Sequence, residues 1–306
     1  MPFMKEAERQ LNDTKQKRAG VGYGLAAFLS WGVLPLYFKA VASVPSLEVL
    51  AHRVVWSLGF LLVLTLARGR WLAFVALFKN RRTQITLMIT TVLIAINWGV
   101  FIWAVANGRL VEASLGYFIT PLINVLLGFV FLKERLRPMQ FVAVGLATCG
   151  IVWMTANLGH PPLISMTLAV SFGFYGLLRK QVPASGIQGL TAETMMLAPV
   201  AIAWMVWRQR EGELVFLHTT TRLDLLLFAA GVITALPLIW FAESARRLRL
   251  ATMGFLQYLA PSFQLLLAVA VFGEPFTRDH AVSFGLIWIA LALYTYDTVR
   301  GMKPSE

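Results

Sequence analysis

Cysteine, histidine and acidic side chains are all scarce in this chain: Cys149 stands alone, there are four histidines, and 15 Asp and Glu face 27 Lys and Arg in 306 residues. One thiol in an apolar stretch excludes a disulfide framework and a cysteine zinc site, and reads as a small buried packing residue. His52, His160, His218 and His280 fall on different loops and ends, with no His-x-x-x-His or Glu-x-x-His spacing, so a metal centre is not expected. No glycine-rich phosphate loop occurs either. An enzyme needs a nucleophile and base, or metal ligands, that converge, and the sequence offers none; no catalytic residue and no cofactor is expected.

What is abundant is apolar. Hydrophobic residues make up 58% of the chain and charged residues only 14%, against about 25% charged in soluble domains. Spans are predicted at 20–38, 48–67, 83–105, 111–132, 139–156, 161–179, 190–207, 224–243, 250–272 and 281–299, each near the roughly 20 residues that cross a hydrocarbon layer. The net charge of +12 would suggest nucleic acid if it were clustered, but the basic residues lie between spans. Lys39, Arg109, Arg208, Arg210, Arg222 and Arg278 fall on one side, Arg53 lies inside a span, and all other Lys and Arg fall on the side of the termini. That bias places both termini in the cytoplasm, and no nucleic-acid partner is expected. The first apolar stretch is too long for a signal-peptide core, and Lys39 stands just before the small-residue step Ala40-Val41-Ala42.

A second pattern is repetition. Pro121 and Glu134 recur as Pro261 and Glu274 at a constant offset of about 140 residues, accompanied by Gly145/Gly285 and, one residue further, Ser30/Ser171, Gly32/Gly173 and Lys39/Lys180. Proline, glycine and charge count for more here than aliphatic matches, because few residues replace them at kinks, close helix contacts and helix ends. The organisation expected is a tail at 1–19, a five-helix unit at 20–156, a second at 161–299 and a tail at 300–306. Five spans per unit is odd, so the second copy enters the membrane from the opposite face. The fold class is therefore an all-α membrane protein of ten helices in two inverted repeats, an architecture that places a solute site between the halves.

Candidate site residues follow from depth. Trp31, Asn97, Trp98, Tyr117, Asn124 and Tyr258 lie within spans beside Gly, Asn, Gln or Pro, and are expected to wall a cavity for a flat or apolar solute; plain interhelical bonding is the competing reading. Pro121 and Pro261 are expected as kinks flanking that cavity, whereas Glu134 and Glu274 read as helix-end markers. Arg53 needs a carboxylate or carbonyl partner, so Glu48 or Glu112 is expected to pair with it in an outer gate, and Glu193 with Arg179 or Lys180 in an inner one. Static pairs at helix ends are the alternative.

Several stretches carry a resemblance. LEVLAHRVVWS, NWGVFIWAVANGRLVEASLGYFITPLINVLLG with FLKERL, SFGFYGLLRK and GFLQYLAPSFQLLLAVAVFGEPF are similar to the RarD branch of the EamA-type drug/metabolite transporters, from about residue 20 to 299. The resemblance implies ten helices in two inverted repeats, a bacterial inner-membrane location and a chloramphenicol-sensitivity permease label. The function expected is secondary transport of small amphipathic organic solutes, such as amino acids, metabolites or drugs, by alternating access. A channel or lipid scramblase is the alternative, and a monomer is compatible with either. Small multidrug-resistance relatives use a glutamate in the first helix for proton exchange; Ala26 to Phe38 holds no carboxylate, so that scheme does not carry over. Either facilitated diffusion or exchange is then favoured, or a proton site lies off the midplane, with Glu112 and His52 as its candidates.

Overall fold

The computed structural model describes the backbone of residues 2–133, 137–158, 161–179, 181–245, 247–248 and 256–300. Glu134, His160 and Lys180 lie outside the described residues. Eleven α-helices and no strand occur among those described: α1 (Pro2–Ala40), α2 (Ser46–Ala67), α3 (Trp71–Ala76), α4 (Arg81–Ala106), α5 (Leu110–Leu132), α6 (Pro138–Leu158), α7 (Leu163–Arg179), α8 (Gly186–Arg210), α9 (Thr221–Ala245), α10 (Leu259–Leu266) and α11 (Arg278–Arg300). Seven helices are long and apolar enough to cross a membrane, and two apolar segments, Leu163–Arg179 and Leu259–Val271, are shorter. α1 continues as helix far ahead of its apolar part, through the predicted tail, and α3 is a short apolar addition between the second and third spans.

Local chemistry sets several boundaries. Asn80 caps α4 by accepting from the Thr83 amide at 3.2 Å, and Ser185 with Gln188 forms a reciprocal capping box at the start of α8, each satisfying amides that the first turn leaves free. Gly108 and Gly273 take left-handed φ of 66° and 67°, a conformation a Cβ penalises. Both turns stand at one junction, where Glu274 meets the start of α5. Pro121 sits in the interior of α5, as the kink expectation requires. Pro261 does not. A turn at Gln257 and Tyr258 precedes α10, which puts Pro261 in the first turn of that helix, where a missing N–H costs nothing. α10 then widens into a π-helical stretch, Leu267–Val271.

Helix packing brings small residues to the crossings. α1 packs on α9 and α10, α7 on α4 and α5, α2 on α8 and α9, α8 also on α4, and α6 on α11. A Cβ on Gly231 of α9 would meet the Trp56 carbonyl oxygen of α2 at 2.5 Å; only glycine lets the two backbones approach so closely. Buried Phe38, Ile102, Leu115, Ile119, Leu168 and Phe284 form part of the main core. Val63, Leu66, Met88, Val200 and Leu225 are exposed on the outside, as befits a surface solvated by lipid rather than water.

Candidate functional site

Arg53, Glu193, Glu48 and Glu274 are all buried among the described residues, and the structure treats the first two differently. Arg53 lies in the second turn of α2 and keeps 6% of its surface. Its Nε donates to Thr234 Oγ1 of α9 at 2.8 Å, and its guanidinium lies over the Trp98 ring, 4.0 Å from the centroid, with Phe38 at 5.6 Å. These faces supply electron density to a cation that water has left.

The carboxylate expected beside Arg53 is elsewhere. Glu48 Oε1 accepts from the Val215 and Phe216 amides, both at 2.9 Å, and Glu112 Oε1 accepts from Arg109 Nε at 2.7 Å. The reason lies in helix geometry: five residues separate Glu48 from Arg53, which sets them about 140° apart around α2. Glu48 therefore reaches the α8–α9 connection while Arg53 points inward between α4 and α9.

The second buried charge has a full set of partners. Glu193, 1% exposed on α8, faces Arg179 Nε at 3.5 Å, accepts from Thr90 Oγ1 of α4 at 2.8 Å and from the Tyr175 hydroxyl at 3.1 Å. Gly189, one turn earlier on α8, has no side chain where a Cβ would collide with the Arg179 guanidinium. The inner pair anticipated from the sequence is thus formed by Arg179; Lys180 is outside the described residues.

A strip of rings joins these two sites. Phe38 lies 5.9 Å from Phe101, Phe101 5.5 Å from Tyr117, Tyr117 6.2 Å from Phe172 and Phe172 5.9 Å from Tyr175, distances typical of edge and offset aromatic contact. Tyr117 also donates to Asn97 Oδ1 at 3.1 Å. Asn97 in turn donates to the Leu168 carbonyl and to Ser171 Oγ, both at 3.0 Å. With 1% exposure, Asn97 ties α4 to α5 and α7, so interhelical bonding describes it better than open cavity wall. Trp98 faces Arg53 rather than open space.

The other three expected wall residues lie apart. Trp31 packs against Phe28 and Phe241 with centroids at 5.5 and 5.7 Å, and its carbonyl accepts from Gln264 at 3.1 Å. Asn124 is exposed on α5 beside Gly173. Tyr258 lines a cleft of about 590 Å³ together with Phe118, Ser262, Trp288 and Thr295. Trp98, Asn97 and Tyr117 are brought together; Trp31, Asn124 and Tyr258 do not join them.

Sequence reasoning missed Thr90, Thr234 and Glu274. A threonine in an apolar span usually bonds its own helix, so no pattern distinguishes the two that reach a charge. Glu274 is buried, with its two oxygens accepting the Leu110 and Val111 amides at 2.8 Å each. It is a helix-end group, as read, but it seals the start of a different helix, α5. Among the described residues no group of three or more His, Cys, Asp or Glu is placed to hold a metal.

Comparison with known proteins places this geometry. Residues 18–156 match the EamA-like transporter family. Protein RarD of Escherichia coli (strain K12) is 44% identical over 294 residues, covering 96% of this chain and 99% of that protein. An uncharacterized transporter of Vibrio cholerae is 42% identical over 288 residues, 94% of this chain and 95% of its own length. The chloramphenicol-sensitive protein RarD of Pseudomonas aeruginosa is 34% identical over 291 residues, 93% and 96% of the two chains. A crystal structure at 22% identity superposes with a TM-score of 0.59 over 92% of this chain and 98% of the other, a likeness of fold. With long apolar helices and relatives matched almost end to end, this chain is a membrane transporter that belongs to the RarD branch of the EamA family.

Proposed function

We propose that the protein is an inner-membrane carrier that moves small amphipathic organic solutes by alternating access, with ten spanning helices in two inverted five-helix repeats and both termini cytoplasmic. The supporting observation is that the helix contacts survive exchange of the halves. Mapping α1, α2, α4, α5 and α6 in order onto α7, α8, α9, α10 and α11 turns the α1 contacts with α9 and α10 into the α7 contacts with α4 and α5. It turns α2 against α9 into α8 against α4, and leaves α2 against α8 and α6 against α11 unchanged. The match extends to side chains: a Cβ on Gly32 would meet Phe263 Cβ at 2.7 Å, and one on Gly173 would meet Ile123 Cγ2 at 2.7 Å. Residues 123 and 263 obey the same offset of about 140. Two packed units of this kind rock against each other around a shared site.

In this reading the Arg179–Glu193 pair, with Thr90 and Tyr175, closes the inner side. On the outer side, Glu48 holds the Val215–Phe216 backbone and Glu112 holds Arg109. The name of the Pseudomonas relative, chloramphenicol-sensitive protein RarD, supports including chloramphenicol among the solutes tested. Purified protein is screened by thermal shift against amino acids, aromatic metabolites and chloramphenicol, and the best hit is followed into proteoliposomes. Saturable uptake stimulated by solute on the opposite side is the expected result. Conductance without saturation would identify a channel, and lipid exchange between leaflets without solute flux a scramblase.

A further inference from the structure

The same buried position is occupied twice in this molecule, once by each sign of charge. In the repeat register, residue 193 corresponds to residue 53 at the offset of about 140. The starts of α2 and α8, at 46 and 186, agree with that register, and the third long helix of each half supplies a threonine from positions one turn apart in it, Thr90 to Glu193 and Thr234 to Arg53, each at 2.8 Å. Glu193 has its arginine. Arg53 has no carboxylate: among the described residues its one hydrogen bond is to a neutral hydroxyl, and neither terminal nitrogen makes any. Those nitrogens are not sealed off: both keep some accessible surface, and the residue as a whole retains 6%.

Neighbouring groups do not supply the missing charge. The Tyr37 hydroxyl donates to the Leu226 carbonyl at 3.0 Å and that of Tyr117 to Asn97, and Glu48 and Glu112 are committed elsewhere. An arginine inside the membrane without an anion is expensive, and the aromatic faces offset only part of that cost. Two free guanidinium nitrogens side by side are the geometry that a carboxylate fills bidentately. The rings next to it, Trp98, Phe38 and Phe101, form an apolar bed.

We propose that Arg53 is the recognition site for a carboxylate carried by the solute, and that the substrate class is amphipathic organic monocarboxylates whose apolar body lies along Trp98, Phe38 and Phe101. The inference rests on the carrier reading above but is separable from it. The probes are three compounds on one skeleton, 3-phenylpropanoate, 3-phenylpropanamide and 3-phenylpropylamine, tested on the full-length protein by thermal shift and by counterflow in proteoliposomes. The carboxylate is expected to raise the melting temperature saturably and to drive counterflow, with the amide and amine inactive. Arg53→Gln is expected to weaken the carboxylate effect by about tenfold or more, and Arg53→Lys, which keeps the charge but not the fork, to fall between. Should Arg53→Gln fail to yield monodisperse protein, Arg53→Lys and Trp98→Leu carry the test, each weakening the carboxylate relative to wild type. Equal responses to amide or amine, no response to any of the three, or unchanged carboxylate affinity in the Arg53 and Trp98 variants would overturn the proposal. Saturable stabilisation by the carboxylate without counterflow would keep Arg53 as its site and remove the carrier reading instead.

Discussion

Glu193 and Arg179 form a buried pair whose members cannot be removed singly without leaving a charge behind. Glu193→Gln leaves the Arg179 guanidinium, mostly enclosed with 13% side-chain exposure, facing neutral groups. Breaking such a pair costs about 3–5 kcal/mol, whereas replacing both members by neutral groups costs much less. Thermal unfolding in detergent should therefore show a clear loss for Glu193→Gln and partial recovery in the double variant Arg179→Gln/Glu193→Gln; additive losses would show that the two do not depend on each other. Glu274 is a second residue-scale case. Glu274→Ala frees two buried amides at the positive end of α5, and about 1–2 kcal/mol of stability should go with it; a wild-type melting temperature would mean that the cap contributes nothing. These partnerships differ in how far they could be read in advance. The Arg179–Glu193 pair was legible because both residues lie near one face of the predicted membrane and charge seeks charge. The partner of Arg53 was not, because the sequence demands a counter-charge without saying that the chain withholds one.

At the scale of helices, the lipid environment made most of the architecture readable. A span must satisfy its own backbone and present about 20 apolar residues, so hydropathy located α2, α4, α5, α6, α8 and α9 to within a few residues. The exception is instructive. The ninth predicted span, 250–272, is interrupted by the turn at Gln257 and Tyr258 before α10; mean hydropathy does not register such a break, and Pro261, which fits a helix's first turn as well as a kink, left the two readings undivided. Helix contacts were legible only where glycine marked them. Gly231→Ala tests one such contact: the new methyl meets the Trp56 carbonyl, so α2 and α9 must separate, carrying Arg53 away from Thr234. Overpacking of this kind costs about 1–3 kcal/mol, and transport should fall with stability. Gly22→Ala is the control, since nothing lies within 4 Å of the added carbon; equal effects at both positions would point to helix propensity rather than packing.

For the whole molecule, alternating access makes a prediction with a sign. Cys149, the only cysteine, is exposed on the outside of α6 rather than buried as its apolar stretch suggested, so a Cys149→Ser background accepts single reporters. A reporter near Glu193 and one near Arg53 should change their reactivity toward a membrane-impermeant maleimide in opposite directions when a transported solute is added; parallel changes would describe a molecule that loosens rather than one that rocks. The two halves are also bound to each other in a way that bears on how the protein is made. Leu110 and Val111 open α5, yet the carboxylate that caps them belongs to residue 274. On a ribosome adding about 5–20 residues each second, the first turn of α5 waits roughly ten to thirty seconds for its cap. During that interval the two amides lack the carboxylate that caps them in the folded protein, so the first half is unfinished however completely it has been inserted. Its maturation is held open until nearly the last helix arrives, and a chain truncated before Glu274 is a natural object for quality control.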